Sequence, residues 1–322
     1  MKAAGRERVA TMEQPAAVAA ARARAARGAR LRAAQGALIS YLYLLPSLIV
    51  FAVFFFYPLV KSVYLSLFAS NPFGYGNGIF VGLEQYRIAL TSASYRNSLL
   101  VTVLYTLYTV PLGLLCALGL AVLGNSRVRG IAIFRTAYAL PVSVSVAAGA
   151  LIFLLMYNPS AGILNYFITS LGMPSVSWLT QPRSALWAIS LITIWSTLGF
   201  NFIVLLSGLQ GIPEELYESA RIDGADGARL FRHITLPLLS PSLFFVLVVS
   251  TIGAFQSFAQ IDLLTRGGPI DSTNVVVYAI YRDAFVNSRV GYASAQAMIL
   301  FVILLALTAV QFKVLERRVV YQ

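Results

Sequence analysis

The chain has 322 residues, of which 58% are hydrophobic and only 11% are charged. A soluble domain of this size carries about twice that charged fraction, so the composition excludes an ordinary soluble protein. Several apolar runs exceed about 18 residues, which is the length that a helix needs to cross a bilayer. The composition therefore predicts an all-α polytopic membrane protein.

The positive charge is distributed unevenly between the two predicted sides of the membrane. The formal net charge is +12, and 17 of the 24 lysine and arginine residues fall in the tails and loops of one side, with seven on the other. The side richer in these residues is usually cytoplasmic, and here it holds both termini. We therefore expect both termini in the cytoplasm and an even number of spans. A basic face can also attract nucleic acid, but the topology already explains this charge and no nucleic-acid partner is expected.

In chain order, residues 1–36 form a basic tail that is expected in the cytoplasm, and residues 37–322 form a six-span domain. The apolar runs that we predict as spans are residues 40–68, 98–123, 131–157, 185–207, 242–264 and 293–314. The outer loop 158–184 has enough apolar residues, starting at Ile163, for a short helix on the outer face.

The longest polar segment between two spans on the basic side is residues 208–241, called the coupling loop below. Pro213 suits the first turn of a helix, where its missing N–H costs nothing. Gly224 suits a left-handed stop or a sharp bend. A second helical piece is predicted over 225–234, ending before Pro237. The loop is thus predicted to form two short helices at an angle.

This segment resembles the EAA loop of ABC importer permeases. The family pattern is E-A-A-x-x-D-G-A, five residues, then F-x-x-I-x-L-P. The positions that match it are Glu218, Ala220, Asp223, Gly224, Ala225, Phe231, Ile234, Leu236 and Pro237. Ser219 departs from the alanine of the pattern, but both residues are small enough for close helix docking.

The resemblance implies that the coupling loop fits a groove on a separate ATPase subunit and transmits its closure to the spans. The residues implied in this ATPase coupling are Glu218, Ser219, Ala220, Asp223, Gly224 and Ala225. Glu218 is expected to anchor the loop to the ATPase, and Gly224 to set the bend between the two helices. The chain itself lacks G-x-x-x-x-G-K-[ST], so any ATP that drives it is hydrolysed by another polypeptide.

The membrane interior holds scattered amide, hydroxyl and aromatic groups rather than paired acids. Asp262 is the one acid inside an apolar run, which argues against an intramembrane enzyme or a proton-coupled carrier. Buried polar groups either join helices or line a hydrophilic path, and amides suit the hydroxyls of polyols. The candidates for a solute path are Trp195, Asn201, Gln256, Gln260 and Asp262, and Gln296 is a further intramembrane amide. No metal site is expected.

Beyond the loop, the chain is similar to carbohydrate-importer permeases of the maltose type. The residues that carry this similarity are 258–265, Gly267-Gly268-Pro269, Thr273 and Ile280-Tyr281. Within that group, residues 71–75 and 80–83 and the end of the chain look most like the A-type permeases of sn-glycerol-3-phosphate importers.

The similarity implies the six-span fold of a type I ABC importer permease in the inner membrane of a bacterium. The implied partners are a second homologous permease, an ATPase dimer that binds ATP and Mg²⁺, an extracytoplasmic solute-binding protein and membrane lipid. No cofactor is expected in this chain. The expected function is uptake of sn-glycerol-3-phosphate or glycerophosphodiesters by alternating access.

Two alternatives stay open at this point. A phosphate inside the membrane calls for cations or helix N-termini, yet no lysine or arginine lies in the middle of the fourth or fifth span. An importer for a neutral sugar such as a disaccharide is therefore the first alternative. An ATP-independent facilitator is a more distant one, and it would not need a coupling loop.

Overall fold

The structure is a computed structural model that describes residues 43–69, 78–126 and 128–315. The predicted tail 1–36 and the motif at 71–75 lie outside these residues. The chain falls into two compact units that divide after Lys61. The division of the sequence into a basic tail and a six-span domain stays a prediction.

The described residues are mostly helical. The helices, in chain order, are α1 (Tyr43–Ser66), α2 (Glu84–Thr91), α3 (Ala93–Gly124), α4 (Ile131–Ala139), α5 (Val146–Met156), α6 (Ile163–Ser170), α7 (Pro182–Gln210), α8 (Glu214–Ile222), α9 (Gly227–Leu238), α10 (Ser240–Phe255), α11 (Ala259–Leu264), α12 (Val276–Tyr281) and α13 (Val290–Leu315). Two short strands, β1 (Phe68–Ala69) and β2 (Ile79–Phe80), pair antiparallel with Phe68 opposite Phe80.

Four helices, α1, α3, α7 and α13, are each long and apolar enough to cross a membrane. Two further candidates are bent pairs, Ile131–Ser143 with α5 and α9 with α10, which bend by 102° and 64°. Counting each bent pair as one span gives six candidate spans, which is the predicted number, although the second pair includes α9 of the coupling loop. The short helix predicted in the outer loop is confirmed as α6.

The third predicted span, residues 131–157, is bent sharply into two helices. Helix α4 runs into a 3-10 turn at Leu140–Ser143, and α5 then starts in a new direction. Pro141, which has no N–H for an α-helical hydrogen bond, lies in that turn. Ser145 has an extended backbone, and its hydroxyl accepts a hydrogen bond from the N–H of Ala148 at 3.2 Å. An N-cap of this kind begins a helix, so the span is divided into two pieces.

The fifth predicted span, residues 242–264, is likewise formed by two helices and not by one. Helix α10 ends at Phe255, and α11 begins only at Ala259. Between them, Phe258 has a φ of −139° and a ψ of −60°, which no helix accommodates. The break exposes Gln256 beside the buried Ser257. Unwound backbone at this depth is tolerated where it lines a cavity or is buried in protein.

Helices α3 and α7 form the largest helix–helix interface of the described residues. Tyr108 of α3 stacks on Trp187 of α7, with ring centroids 3.9 Å apart. Further along the pair, Phe202 and Leu205 are buried against Ala117 and Ala121. Small residues on α3 let the large side chains of α7 approach closely, which is the usual way in which helices associate in membranes.

Candidate functional site

The first half of the coupling loop is helix α8. Pro213 is the N-cap, and Glu214 and Glu215 form the first turn. Arg221 lies in the last turn. Acidic residues at the start of a helix and basic residues at its end both interact favourably with the helix dipole. The sequence of the loop thus favours a helix even though this segment has little apolar surface to bury.

Helix α8 ends in a Schellman motif centred on Gly224. Gly224 has a φ of +81°. Its N–H donates to the carbonyl of Arg221 at 3.0 Å, and the N–H of Ala225 donates to the carbonyl of Ala220 at 2.9 Å. These are the two hydrogen bonds that define the motif. The predicted left-handed stop at Gly224 is confirmed.

The second half of the loop, α9, begins after Asp226, whose carboxylate accepts a hydrogen bond from the N–H of Arg229 at 2.8 Å. It does not end before Pro237, as predicted, but continues to Leu238. The reason is a π-helical turn at Phe231–Thr235, in which the N–H of Leu236 donates to the carbonyl of Phe231. A widened turn directly before a proline lets the chain remain helical despite the missing N–H.

The six predicted coupling residues lie together at the far end of α8. Four of them are exposed and two, Ala220 and Ala225, are half-buried. Beside them, Ile222 is 86% exposed, although it is a large apolar residue. Ile222 was not among the predicted site residues, although an isolated isoleucine between Arg221 and Asp223 is visible in the sequence. The end of α8 is therefore a polar surface with one apolar projection, which suits docking on another protein.

The two ends of the coupling loop are joined by a tight contact between α7 and the start of α10. A Cβ atom added at Gly208 of α7 would lie 2.8 Å from Cδ1 of Leu239 and 3.0 Å from Cβ of Ser242, and still closer to the Ser242 hydroxyl. Leu239 is fully buried. The two ends of the loop are thus held together where α7 and α10 meet.

Replacing Gly208 by alanine should separate the two ends of the loop. Overpacking of this kind costs about 1–3 kcal/mol. We expect solute-stimulated ATP hydrolysis by the assembled transporter to fall several-fold. Gly211→Ala is the matched control, because a Cβ there would meet only carbonyl oxygens at 3.5 Å or more. Equal activity of the two variants would contradict this role of Gly208.

A second feature, called the membrane cavity, lies among α3, α5, α7, α10 and the break in the fifth span. Its volume is about 540 Å³. The residues that line it are Thr109, Val110, Val146, Thr193, Ser196, Thr197, Phe200, Asn201, Val249, Ser250, Gly253, Ala254, Gln256, Ser257, Phe258, Ala259 and Gln260. Nine of these 17 residues carry an uncharged polar side chain, and the described lining has no charged one. The volume falls in the range of small-molecule sites.

A cluster of hydroxyl groups joins three helices at one wall of the membrane cavity. The Tyr105 hydroxyl of α3 lies 2.5 Å from the Thr193 hydroxyl of α7 and 2.9 Å from that of Ser257. The amide nitrogen of Gln260 donates to the Tyr105 and Thr193 hydroxyls, both at 2.9 Å, and contacts that of Ser257. The cluster fixes the unwound segment of the fifth span against α3 and α7.

Three of the five predicted path residues line the membrane cavity: Asn201, Gln256 and Gln260. The other two lie outside its lining. Trp195 packs edge-on against Phe153, with centroids 5.5 Å apart, and Asp262 lies beyond the break on α11. Their assignment to a solute path stays a prediction.

Gln296 has a structural position. It is 1% exposed, its amide nitrogen donates to Asp283 at 3.0 Å, and its backbone carbonyl accepts from the Tyr95 hydroxyl at 3.1 Å. Tyr105 was missed by the sequence analysis because a tyrosine in an apolar run has no pattern that marks its hydroxyl as part of a site. Thr193 and Ser257 are neighbours of predicted residues, but only the fold brings them together.

Up to six candidate spans, a cavity among α3, α5, α7 and α10 lined partly by uncharged polar side chains, and an exposed two-helix loop are the arrangement of a membrane permease. The family model for the "Binding-protein-dependent transport system inner membrane component" matches residues 15–321, and the chain belongs to this family. It is therefore a multi-pass permease of the bacterial inner membrane.

Individual relatives and solved structures agree with this assignment. The sn-glycerol-3-phosphate transport system permease protein UgpA of Agrobacterium fabrum is 39% identical over 287 residues, covering 88% of this chain and 97% of the relative. The protein of the same name from Rhizobium meliloti has the same identity and coverage. A chain of a bacterial ABC transporter that imports the acidic polysaccharide alginate has a TM-score of 0.77 at 24% identity, covering 87% of this chain and 96% of that one. The last similarity shows that the two chains share a fold.

Proposed function

We propose that this chain is a transmembrane subunit of an ATP-driven importer that takes up sn-glycerol-3-phosphate or glycerophosphodiesters. The observation that carries the proposal is the similarity to the permeases of sn-glycerol-3-phosphate transport systems, which extends over 97% of their length at 39% identity. A match of this extent leaves little room for a different architecture. The membrane cavity, with its uncharged polar side chains, supplies hydrogen-bonding groups for a polyol.

The proposed complex contains this chain, a second homologous permease, a dimer of ATPase subunits and an extracytoplasmic solute-binding protein, all in contact with membrane lipid. ATP and Mg²⁺ bind to the ATPase subunits, and both termini of this chain lie in the cytoplasm. The exposed end of α8 supports this arrangement, because it offers Glu218 and Asp223 as polar anchors around the projecting Ile222.

The mechanism we propose is alternating access. ATP binding closes the ATPase dimer and draws the coupling loops of the two permeases together, and the spans then open outward to receive solute. A loop can shift this equilibrium only if it contacts the two states of the ATPase with different free energies. The Schellman motif at Gly224 fixes the angle of α8, and the contact at Gly208 connects the loop to α7 and α10. Movement of α8 is thereby transmitted to the helices that line the membrane cavity.

A neutral sugar is the second candidate solute. The observation that favours it is the membrane cavity, whose described lining contains no lysine, arginine or histidine. A doubly charged phosphate is costly to bury without a partner of opposite charge.

The decisive experiment is ATP hydrolysis by the complete complex in proteoliposomes, with sn-glycerol-3-phosphate, a glycerophosphodiester and maltose supplied in turn with the binding protein. We expect stimulation by the first two solutes and none by maltose. Stimulation by maltose alone would replace the proposed solute by a sugar. Solute flux without nucleotide would contradict an ATP-driven importer altogether.

A further inference from the structure

We infer that the membrane cavity of this chain contacts the glycerol hydroxyls of the solute, whereas the phosphate is held by another subunit of the transporter. This inference rests on the proposed function and assigns one part of the solute to this chain.

The charge of the membrane cavity argues against a phosphate site. A phosphate monoester carries about 1.5 to 2 negative charges at neutral pH, and inside a membrane it calls for cationic partners. Among the described lining residues of the cavity, none is a lysine, an arginine or a histidine. Helix α5 borders the cavity through its first residue, Val146, and the Ser145 hydroxyl accepts a hydrogen bond from the N–H of Ala148 in its first turn. The described lining of the cavity therefore offers the phosphate no cationic side chain as a partner.

The hydrogen-bonding groups of the membrane cavity suit an uncharged part of the solute. Gln260 is only 6% exposed, and its amide nitrogen is engaged by the hydroxyl cluster, while its carbonyl oxygen has no partner among the described residues. The Ser196 hydroxyl is also buried without a partner in the described part of the chain. A carbonyl oxygen accepts, and a hydroxyl both donates and accepts.

Such neutral groups match the hydroxyls of glycerol, each of which needs one acceptor and one or two donors. The cavity also has room for more than glycerol alone, because its volume is about 540 Å³. Asn201 of α7 supplies a further amide to the lining, and its oxygen lies 3.5 Å from the Ser250 hydroxyl. The geometry favours a polyol over an anion in this half of the path.

Ser196→Ala is the sharpest variant for a test, because the Ser196 hydroxyl makes no hydrogen bond that the folded chain would lose. Gln260→Leu is the second variant, and it removes the amide itself. Ser190→Ala is the matched control. Ser190 lies on the same helix and is fully buried, but its hydroxyl donates to the Leu186 carbonyl at 2.7 Å, away from the membrane cavity.

The measurement is kcat/KM for solute-stimulated ATP hydrolysis by the complete complex in proteoliposomes. The solutes are sn-glycerol-3-phosphate and the monophosphates of 1,2-propanediol and 1,3-propanediol, each of which lacks one glycerol hydroxyl. Each variant is compared with the parent complex for the same solute, so that the selectivity of the binding protein cancels.

We expect Ser196→Ala and Gln260→Leu to lower kcat/KM for sn-glycerol-3-phosphate by about tenfold, which corresponds to one hydrogen bond. The value for at least one of the two deoxy analogues should change by less than about twofold, because that analogue lacks the group that the cavity contacts. The control variant should leave all three values unchanged.

Two results would overturn this inference while leaving the proposed function intact. The first is an equal loss for all three solutes in Ser196→Ala, which would mean that the hydroxyl supports packing only. The second is a changed preference between sn-glycerol-3-phosphate and a singly charged glycerophosphodiester, which would place the phosphate in this cavity. A parent complex that responds to no glycerol phosphate would instead overturn the proposed function, and this inference with it.

Discussion

Replacing Gly224 by valine is expected to abolish coupling while leaving the spans assembled. Gly224 has a φ of +81°, which glycine adopts readily but which strains the backbone of a β-branched residue such as valine. Valine would force the end of α8 out of its Schellman motif and turn the helix away from its present direction. The left-handed region costs an ordinary residue about 1–2 kcal/mol, so the helix end rather than the whole chain should rearrange. We expect solute-stimulated ATP hydrolysis to fall at least about tenfold.

A graded series separates backbone strain from loss of contacts at this position. No atom lies within 4 Å of where a Cβ would be at Gly224, so side-chain size alone creates no clash. Asparagine tolerates the left-handed conformation and should retain most activity, with alanine intermediate. Gly227→Ala is the control in the same loop, because Gly227 is equally open and has no positive φ. Full activity of Gly224→Val, with the complex intact on a sizing column, would show that this bend does not orient the loop.

The coupling loop could be predicted in detail because its signals are local. Pro213, the two glutamates after it and Gly224 each act within about one helical turn of their own position. These positions determine where α8 begins and ends without help from the rest of the chain. The end of α9 was predicted wrongly for a related reason. A proline such as Pro237 normally stops a helix because it has no N–H to donate. Here a π-helical turn just before it lets the helix continue, and π-helical turns have no clear local signature.

The spans could be counted from hydropathy, but their breaks could not be located in that way. An apolar run of about 20 residues has the same hydropathy whether it crosses the membrane as one straight helix or as two bent pieces. Pro141 in the third span was a visible signal of a break, but membrane helices often tolerate proline. In the fifth span, Gln256 and Ser257 were visible as polar residues, but the contacts of Ser257 with Tyr105 and Gln260 at the break are seen only in the fold.

The membrane cavity was only partly predictable, for a topological reason. Asn201, Gln256 and Gln260 were found because amides are rare inside membranes and stand out in a sequence. The hydroxyls that complete the site lie on α3 and α7, and the separation of Tyr105 from Gln260 is 155 residues along the chain. Contacts over such distances depend on helix packing, which no periodicity within one span reveals.

Replacing Gly199 by alanine is the second change with a large expected effect, and it acts on the packing of that cavity. Gly199 is buried in α7 against the break in the third span. A Cβ atom there would lie 2.7 Å from the carbonyl oxygen of Ala139 and 2.9 Å from the backbone nitrogen of Val142. Because both neighbours are backbone atoms, no side-chain rotation can relieve the contact. We expect a loss of about 1–3 kcal/mol in stability.

The same displacement should also reduce transport, because Gly199 lies two residues before Asn201 and the segment it contacts leads directly into Val146, which lines the membrane cavity. Thermal unfolding of the purified complex in detergent and transport in proteoliposomes would measure the two effects. Gly119→Ala in α3 is the matched control, since a Cβ there would meet nothing within 4 Å and alanine favours a helix. If Gly199→Ala were as stable and active as Gly119→Ala, then α7 and the bend of the third span could separate at little cost. The wall of the cavity would in that case be adaptable, and its selectivity would have to come from hydrogen-bonding groups alone rather than from a fixed shape.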